Sequence, residues 1–533
     1  MAEKFTTTKE TLAARIYRLR WWTLITISIS VLVCILDMTV MNVALPTIQK
    51  QLGATSSQLL WMVNVYTMLS GSLMITSGGL GDRIGRGKML TAGLVVFGLA
   101  SLGAAFSGNP TQLIFCRVFM GAAEAMIMPS TLSTITNVFP EKERGQAIGV
   151  WAGLNALGVA MGPIVGGLML SHFSWNSIFW INIPVVIIAL TLGRFFVPDT
   201  RDSVPHKLDI IGNLLSLAGL ASLIYGLING GSRGWTDTLV LGALIGSLVI
   251  ISLFILWERR VKEPLLDLRF FGNARFSTGI AILIIMGLAL NGVMYVLTYY
   301  LQIIHGYTPL SAGLRFIPAA FGMLLGAISA DKLVLRFGQK AVMTAGFIGT
   351  AAVLFVFSML KVDSSFWLLG TEEAFFGVFL GFVVAPVTNI IMSNLPKEKT
   401  GLGSAINSSF RQIAGTLGVA VLGGILGSVY SSHFLKAAVN INSLPAVLVQ
   451  KASDSVGVAM GIVRSGQLPG ALADKLSLAA KDSFMDGWRV IMLICSCIFI
   501  VGAVIVLKFV PSRKEINTDD IGSKEHLEHH AGL

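Results

Sequence analysis

Charge is what this chain is short of. Asp, Glu, Lys and Arg make up only 13% of its 533 residues, about half the roughly 25% of a soluble domain. None of them falls between Gly145 and Gly193. With 54% hydrophobic residues and a mean hydropathy of +0.75, a water-soluble fold is excluded. Cysteine is scarce too. Cys34, Cys116, Cys495 and Cys497 all sit within apolar runs, which excludes a secreted disulfide framework and leaves no zinc spacing. The loop G-D-R-I-G-R-G-K, Gly81 to Lys88, lacks both the spacing and the hydroxyl of a phosphate loop, so no nucleotide is expected. No His, Asp or Ser cluster marks a bilayer face, so an integral-membrane enzyme is not expected. His526, His529 and His530 stand without neighbouring ligands, and neither metal nor cofactor is expected. The net charge of +11 would fit nucleic acid, but the basic residues are spread over short loops.

What is present is a series of apolar runs about 20 residues long, the length of a helix that crosses a bilayer. They predict an all-α polytopic protein with fourteen spans, near 22–46, 59–80, 89–107, 110–136, 146–170, 176–197, 209–229, 238–257, 276–303, 310–330, 341–360, 366–394, 401–430 and 487–510. The first run is long and has no small-residue cleavage site, so it reads as a retained span. The N-terminal segment, the even-numbered loops and the C-terminal tail together hold 25 Lys and Arg. The short odd-numbered loops hold three, Lys50, Arg233 and Lys361. This bias puts both termini in the cytoplasm. The long loop 431–486 would be extracytoplasmic. Its segment Pro469–Phe484 has helical spacing of Leu472, Leu476 and Ala479 and is expected to lie on the outer face.

Glycine is plentiful, 57 residues, as close helix packing in lipid requires. Gly158, Gly162, Gly166 and Gly167 leave one face of span 5 without side chains, and Pro163 bends it. A groove-bearing bent helix suits two halves that rock. An internal duplication at an offset of 256 pairs Arg117, Gly121 and Ala125 with Glu373, Gly377 and Gly381, and Gly162 and Gly167 with Gly418 and Gly423. Such repeats mark transporters with a site between the halves. The expected organisation is a cytoplasmic segment 1–21, a six-helix bundle 22–197, an inserted helix pair with connectors 198–275, a second six-helix bundle 276–510, and a cytoplasmic tail 511–533.

Ionisable residues within spans are costly, by about 2.5–3.5 kcal/mol or more, and are functional candidates for that reason. Asp37, in span 1, is the candidate proton carrier. It lies roughly 13 Å from the outer end of its span, and Arg117 of span 4 roughly 10 Å from its own, so the two can meet. Glu124 lies on nearly the same face as Arg117, roughly 21 Å deep, where it would meet a cationic substrate. Glu372 and Glu373 in span 12 sit at the depth of Arg117. Adjacent residues face different ways, so one is expected to line the cavity and the other to reach the outer interface, with Arg411 a partner for one. Asn42 and Asn291 are candidates for the cavity wall, as are Asn64, Asn155, Asn389, Asn407 and Gln412. Gly81, Asp82, Arg83, Gly85, Arg86 and Lys88 form either a charge clasp that closes the inner side or a simple basic anchor. Asp331, Lys332, Arg336, Gly338 and Lys340 are a degraded copy.

With these elements, the chain resembles the major facilitator superfamily, specifically its fourteen-span drug/proton antiporter branch. Gly81–Lys88 is similar to the loop 2–3 motif, Arg117-x-x-x-Gly121-x-x-x-Ala125 to the span 4 motif, Gly158–Gly167 to the span 5 antiporter motif, and Leu36–Pro46 to the span 1 motif with its acid at Asp37. The resemblance implies an inner-membrane exporter that trades a small-molecule substrate for protons, driven by the proton-motive force, with Asp37 and Arg117 in proton coupling. It departs in span 10, which has no acid and carries Arg315; this puts dicationic substrates in doubt. An exporter of an endogenous lipid or metabolite is the alternative. A channel fits the dispersed charges and bent helices poorly.

Overall fold

The structure, a computed structural model, describes residues 2–201, 209–393, 400–439, 441, 444–465 and 468–510 and most of their side chains. The side chains of Asn155 and Asp331, and the three tail histidines, lie outside the described residues. Among the described residues all regular structure is helical. The first half comprises α1 (Ala2–Leu52), α2 (Ser56–Ile84), α3 (Arg86–Ala105), α4 (Pro110–Val138), α5 (Glu141–His172), and the short α6 (Ser177–Trp180) continued by α7 (Asn182–Phe196). The inserted pair is α8 (Ile210–Arg233) and α9 (Thr238–Glu258). The second half comprises α10 (Ala274–Tyr299), α11 (Pro309–Arg315) continued by α12 (Ile317–Phe337), α13 (Gln339–Phe357), α14 (Phe366–Ser393), α15 (Thr400–Ala438), and α18 (Gly470–Phe509), with α16 (Ala446–Ala452) and α17 (Val456–Arg464) between the last two. Among the described residues, thirteen segments are long and apolar enough to cross a bilayer. The 32-residue α5 brings the total to the expected fourteen.

Polar caps punctuate the apolar runs. Thr55 and Gln58 form a reciprocal capping box at the start of α2. Asn109 caps α4 ahead of Pro110, and Thr308 caps α11 ahead of Pro309, proline being favoured at the first helical position. Gly85, at φ +117°, and Gly338, at φ +85°, end α2 and α12 and start the next helix at once. Side chains rarely adopt such φ values, so glycine makes both reversals possible. The two stand at equivalent places in the two halves.

The duplication is visible in the packing. Gly121 of α4 leaves room for the backbone of Tyr66 on α2, and Gly377 of α14 does the same for the backbone of Ala319 and Met323 on α12. Gly162 of α5 receives Thr39 of α1, and Gly418 of α15 receives the Leu288 backbone of α10, both contacts within a half. One turn later the partners change. Gly167 abuts the Leu310 backbone of the second half, and Gly423 abuts Leu60 of the first. The glycine stripe therefore fastens α5 to its own half and then to the other, and Gly158 and Gly166 extend the first contact onto Ile35 and Val40 of α1.

α1 begins and α18 ends on one side, the terminal face; residues 53–55, 106–109 and 439–469 lie on the other, the loop face. Cross-half hydrogen bonds run from mid-depth to the loop face. Thr416 donates to Thr67 at 2.6 Å, Gln302 to the Val43 carbonyl at 2.8 Å, and Gln49 to Ser455 at 2.8 Å. Gln302 reaches Val43 from a π-turn, Tyr300–Ile304, that ends α10. The halves thus meet toward the loop face.

Two expectations are revised here. The segment 470–484 is helical, as its spacing implies, and starts at the loop face, but it is continuous with the last span. It is the beginning of α18, with Leu476, Ala480 and Phe484 fully buried, because its apolar stripe continues in phase into the last span. Likewise loop 431–486 is shorter than expected, since α15 runs on to Ala438. Of what remains, the described residues 444–465 pack down: Asp454 accepts from the Ser56 backbone at the start of α2 at 3.2 Å, and Tyr430 donates to the Ala452 carbonyl at 2.9 Å.

Candidate functional site

The site grows from the close approach of α4 to α2. Because Gly121 has no side chain, the helices meet backbone to backbone, and Arg117, one turn away, lies across α2. Its Nε donates to the Met62 carbonyl at 3.1 Å, and its guanidinium lies 4.0 Å over the Tyr66 ring. Its Nη1 donates to Asp37 Oδ2. Asp37 and Arg117 are 3% and 1% exposed. A buried pair of this kind is kept in place by the penalty of separating it, about 3–5 kcal/mol when one partner is removed. Two residues 80 positions apart are thus brought together at the depth the sequence implied.

Asn182 completes the arrangement. It opens α7, is buried, and donates Nδ2 to Asp37 Oδ1 at 3.0 Å and to Ser101 Oγ at 3.1 Å. Sequence reading missed it. The available signal was an amide inside an apolar span, two residues before Pro184.

Glu124 lies two turns further along α4, 2% exposed, at the seam between the halves. Gln412 of α15 donates to both of its carboxylate oxygens at 3.2 Å and contacts Ser70 at 3.4 Å. The Arg411 side chain is exposed and is within electrostatic reach of Glu124. This revises the expected pairing: neither Glu372 nor Glu373 is hydrogen-bonded to Arg411, whose electrostatic neighbour is Glu124. Both Glu372 and Glu373 are buried inside the second half, so neither is at the outer interface.

Two of the candidate asparagines bond within their own helices. Asn42 donates to Met38 and Asn291 to Gly287, each one turn back on its own helix, and Asn291 packs against Gly415 of α15. Such back-bonding satisfies an amide in lipid without a cavity. In the loop Gly81–Lys88, Arg86 pairs with Asp82 at 2.7 Å, and Lys88 lies 3.8 Å from Asp199. The Arg86 backbone donates to the Thr200 carbonyl at 2.9 Å. The described ties of this loop thus hold it to the strand of chain that leaves α7, within the first half.

Two glycine-fastened helical halves, an inserted pair and a buried acid–arginine pair beside a seam-lying carboxylate define a membrane transporter. The chain belongs to the Major Facilitator Superfamily, whose profile matches residues 27–419, and as such it is a transporter and not an enzyme. It is 32% identical to the tetracenomycin C resistance and export protein of Streptomyces glaucescens over 91% of each chain. It is 31% identical to the methyl viologen resistance protein SmvA of Salmonella typhimurium, over 87% of this chain and 93% of that protein. Among solved structures it is similar to an inward-facing bacterial homologue of the human lysosomal transporter Spinster, with a TM-score of 0.61 at 15% identity, covering 93% of this chain and 99% of that one. That last likeness carries the fold alone. The chain is therefore a multi-pass major facilitator protein related to drug-resistance and efflux proteins.

Proposed function

We propose that the protein is an antiporter of the cytoplasmic membrane that exports amphipathic, cationic compounds in exchange for entering protons. The observation that carries this reading is Glu124: a buried carboxylate on one half, held by Gln412 of the other, beside a solvent-reached Arg411. A cation that enters the seam meets Glu124, breaks the Gln412 contact and changes how the halves are joined. The relatives' names, tetracenomycin C export and methyl viologen resistance, support small-molecule export.

Asp37 supplies the proton step. While it is ionised, Arg117 and Asn182 hold it; protonation weakens the attraction to Arg117, whose charge then favours other partners. Arg117 is joined to α2, which forms the seam with α15, so a proton on Asp37 alters the same contacts that Glu124 touches. The basic loops put both termini in the cytoplasm, so a structure joined at the loop face is open toward the cytoplasm. The glycines of α5 and the loop Gly81–Lys88 are the parts that rock and hold. A proton crossing 100 mV releases about 2.3 kcal/mol, enough for modest accumulation.

The deciding experiment is uptake of a fluorescent organic cation into everted vesicles. Uptake is expected to require a proton gradient, to collapse with a protonophore, and to vanish in Asp37→Asn at normal expression. Full transport in that variant would remove Asp37 from the mechanism.

A further inference from the structure

Glu372 and Glu373 are adjacent on α14, and both are buried, at 6% and 1% exposure. None of their carboxyl oxygens has a hydrogen-bond partner among the described residues. Neighbours diverge by about 100° around a helix, so one of two adjacent residues usually turns outward. Here they straddle the buried stripe of Phe376, Leu380, Val383 and Val387, and both carboxyls stay inside the half.

Their surroundings are nearly free of charge. Arg315 on α11 is within electrostatic reach of Glu373, and Tyr300 at the end of α10 within reach of Glu372. Arg315 donates to the Ser311 carbonyl at 2.8 Å and lies 3.7 Å over the Tyr307 ring. Tyr307 stacks on His305, which meets Tyr300 edge-on, and Tyr300 stacks on Trp488. The acids therefore lie beneath an aromatic layer on the loop-face side. On the packed helices, α10 adds the titratable Tyr295 and Tyr299; residues 317–330 of α12 and 341–357 of α13 bear no charge, and the electrostatic neighbour of Arg411 of α15 is Glu124.

The duplication sharpens the contrast. Glu373 occupies the place of Arg117, and the place of Asp37 is taken by Val293, a buried apolar residue. The first half thus holds an acid with its arginine, whereas the second holds two acids with no bonded cation among the described residues. Unpaired carboxylates inside a bilayer are costly, and the group adopts its neutral form instead.

We propose that Glu372 and Glu373 form a proton-binding site of the second half, separate from Asp37. It takes a proton from water when the loop face is open, is sealed in the arrangement seen here, and returns the proton to water during turnover. The inference rests on the proton-driven reading above for its role in transport, but the bound proton itself is measurable without transport.

The test uses the purified full-length protein. Infrared spectroscopy at neutral pH is expected to show a protonated-carboxyl carbonyl band that is diminished in Glu373→Gln or Glu372→Gln and persists in Asp37→Asn. In proteoliposomes, the double variant is expected to move fewer protons per organic cation than wild type while still responding to a gradient. A band unchanged in both single variants, or an unchanged proton-to-cation ratio in the double variant, overturns the proposal. Wild-type transport indifferent to the proton gradient would instead sink the antiport reading, with the band still reporting whether these acids hold a proton.

Discussion

Asn182 donates to the Asp37 oxygen that Arg117 does not bond, at 3.0 Å, so the carboxylate is held from α4 and α7 at once. Asn182 is a positioning residue. Hydrogen bonds to charged groups are worth about 1.5–3 kcal/mol. Asn182→Ala is expected to slow transport about tenfold or more, because the Asp37 carboxylate is then held from α4 alone. Transport of Asn182→Ala and Asn182→Gln at matched expression checks this; a wild-type rate in the alanine variant would remove Asn182 from the site, and rescue by the glutamine, which can still donate, is expected.

Arg117→Lys is expected to be crippling. The guanidinium bonds Asp37 and Met62 while lying flat on Tyr66, and an ammonium has no planar fork with which to do all three. Wild-type uptake in the lysine variant would show that charge alone suffices.

Glu124→Gln is expected to impair transport of cations more than of neutral compounds, since the amide keeps a contact with Gln412 but loses the charge. Competition between a cationic and a neutral substrate reads this out. Equal loss of both would assign Glu124 to proton coupling.

Gly313 of α11 faces the Pro163 carbonyl so closely that an added Cβ would collide with it. Overpacking of this kind typically costs about 1–3 kcal/mol, and here it is charged to the state in which α5 and α11 touch. Gly313→Leu should therefore shift the population toward separation at the loop face. Labelling of a cysteine placed at Leu310 would report it as faster modification; labelling no faster than in the Gly313 parent would contradict the expectation.

Asp454 docks the segment 444–465 on the start of α2. Burial pushes its carboxyl above the ordinary aspartate range, against the pull of the Ser56 donors. The docked form favours the protonated acid, so docking strengthens as pH falls below that raised value and weakens as pH rises through it. Proteolysis of 444–465 should thus be slower in acid medium, measured against a reference substrate for the protease. Asp454→Asn should abolish the dependence; an unchanged dependence would locate the titrating group elsewhere.

Spans were legible because lipid imposes a length and an apolar content that composition reveals directly. Depth along a helix was legible too, at a fixed rise per residue, and it brought Asp37 and Arg117 to one level. Direction around the helix was harder. Glu372 and Glu373 were split by an alternation rule that ignores where the buried stripe falls between them. Arg411 was assigned to the wrong acid because the rotation of α15 about its axis is set by Gly415 and Gly418 packing on α10. Asn182 was hidden in a span whose break into α6 and α7 is a tertiary feature. Segment 470–484 was read as a surface helix because its polar face ends where the apolar span begins, a junction that a continuous helix crosses without interruption.

α8 packs on both α2 and α15. Ser57 reaches Asn229 at 3.4 Å, and Gly424 lets the Leu227 carbonyl come close. This added helix roofs one of the two long crevices between the lobes. An oily compound dissolved among the acyl chains finds that flank shut, so any sideways entry from the membrane must use the opposite crevice, between α5 and α12.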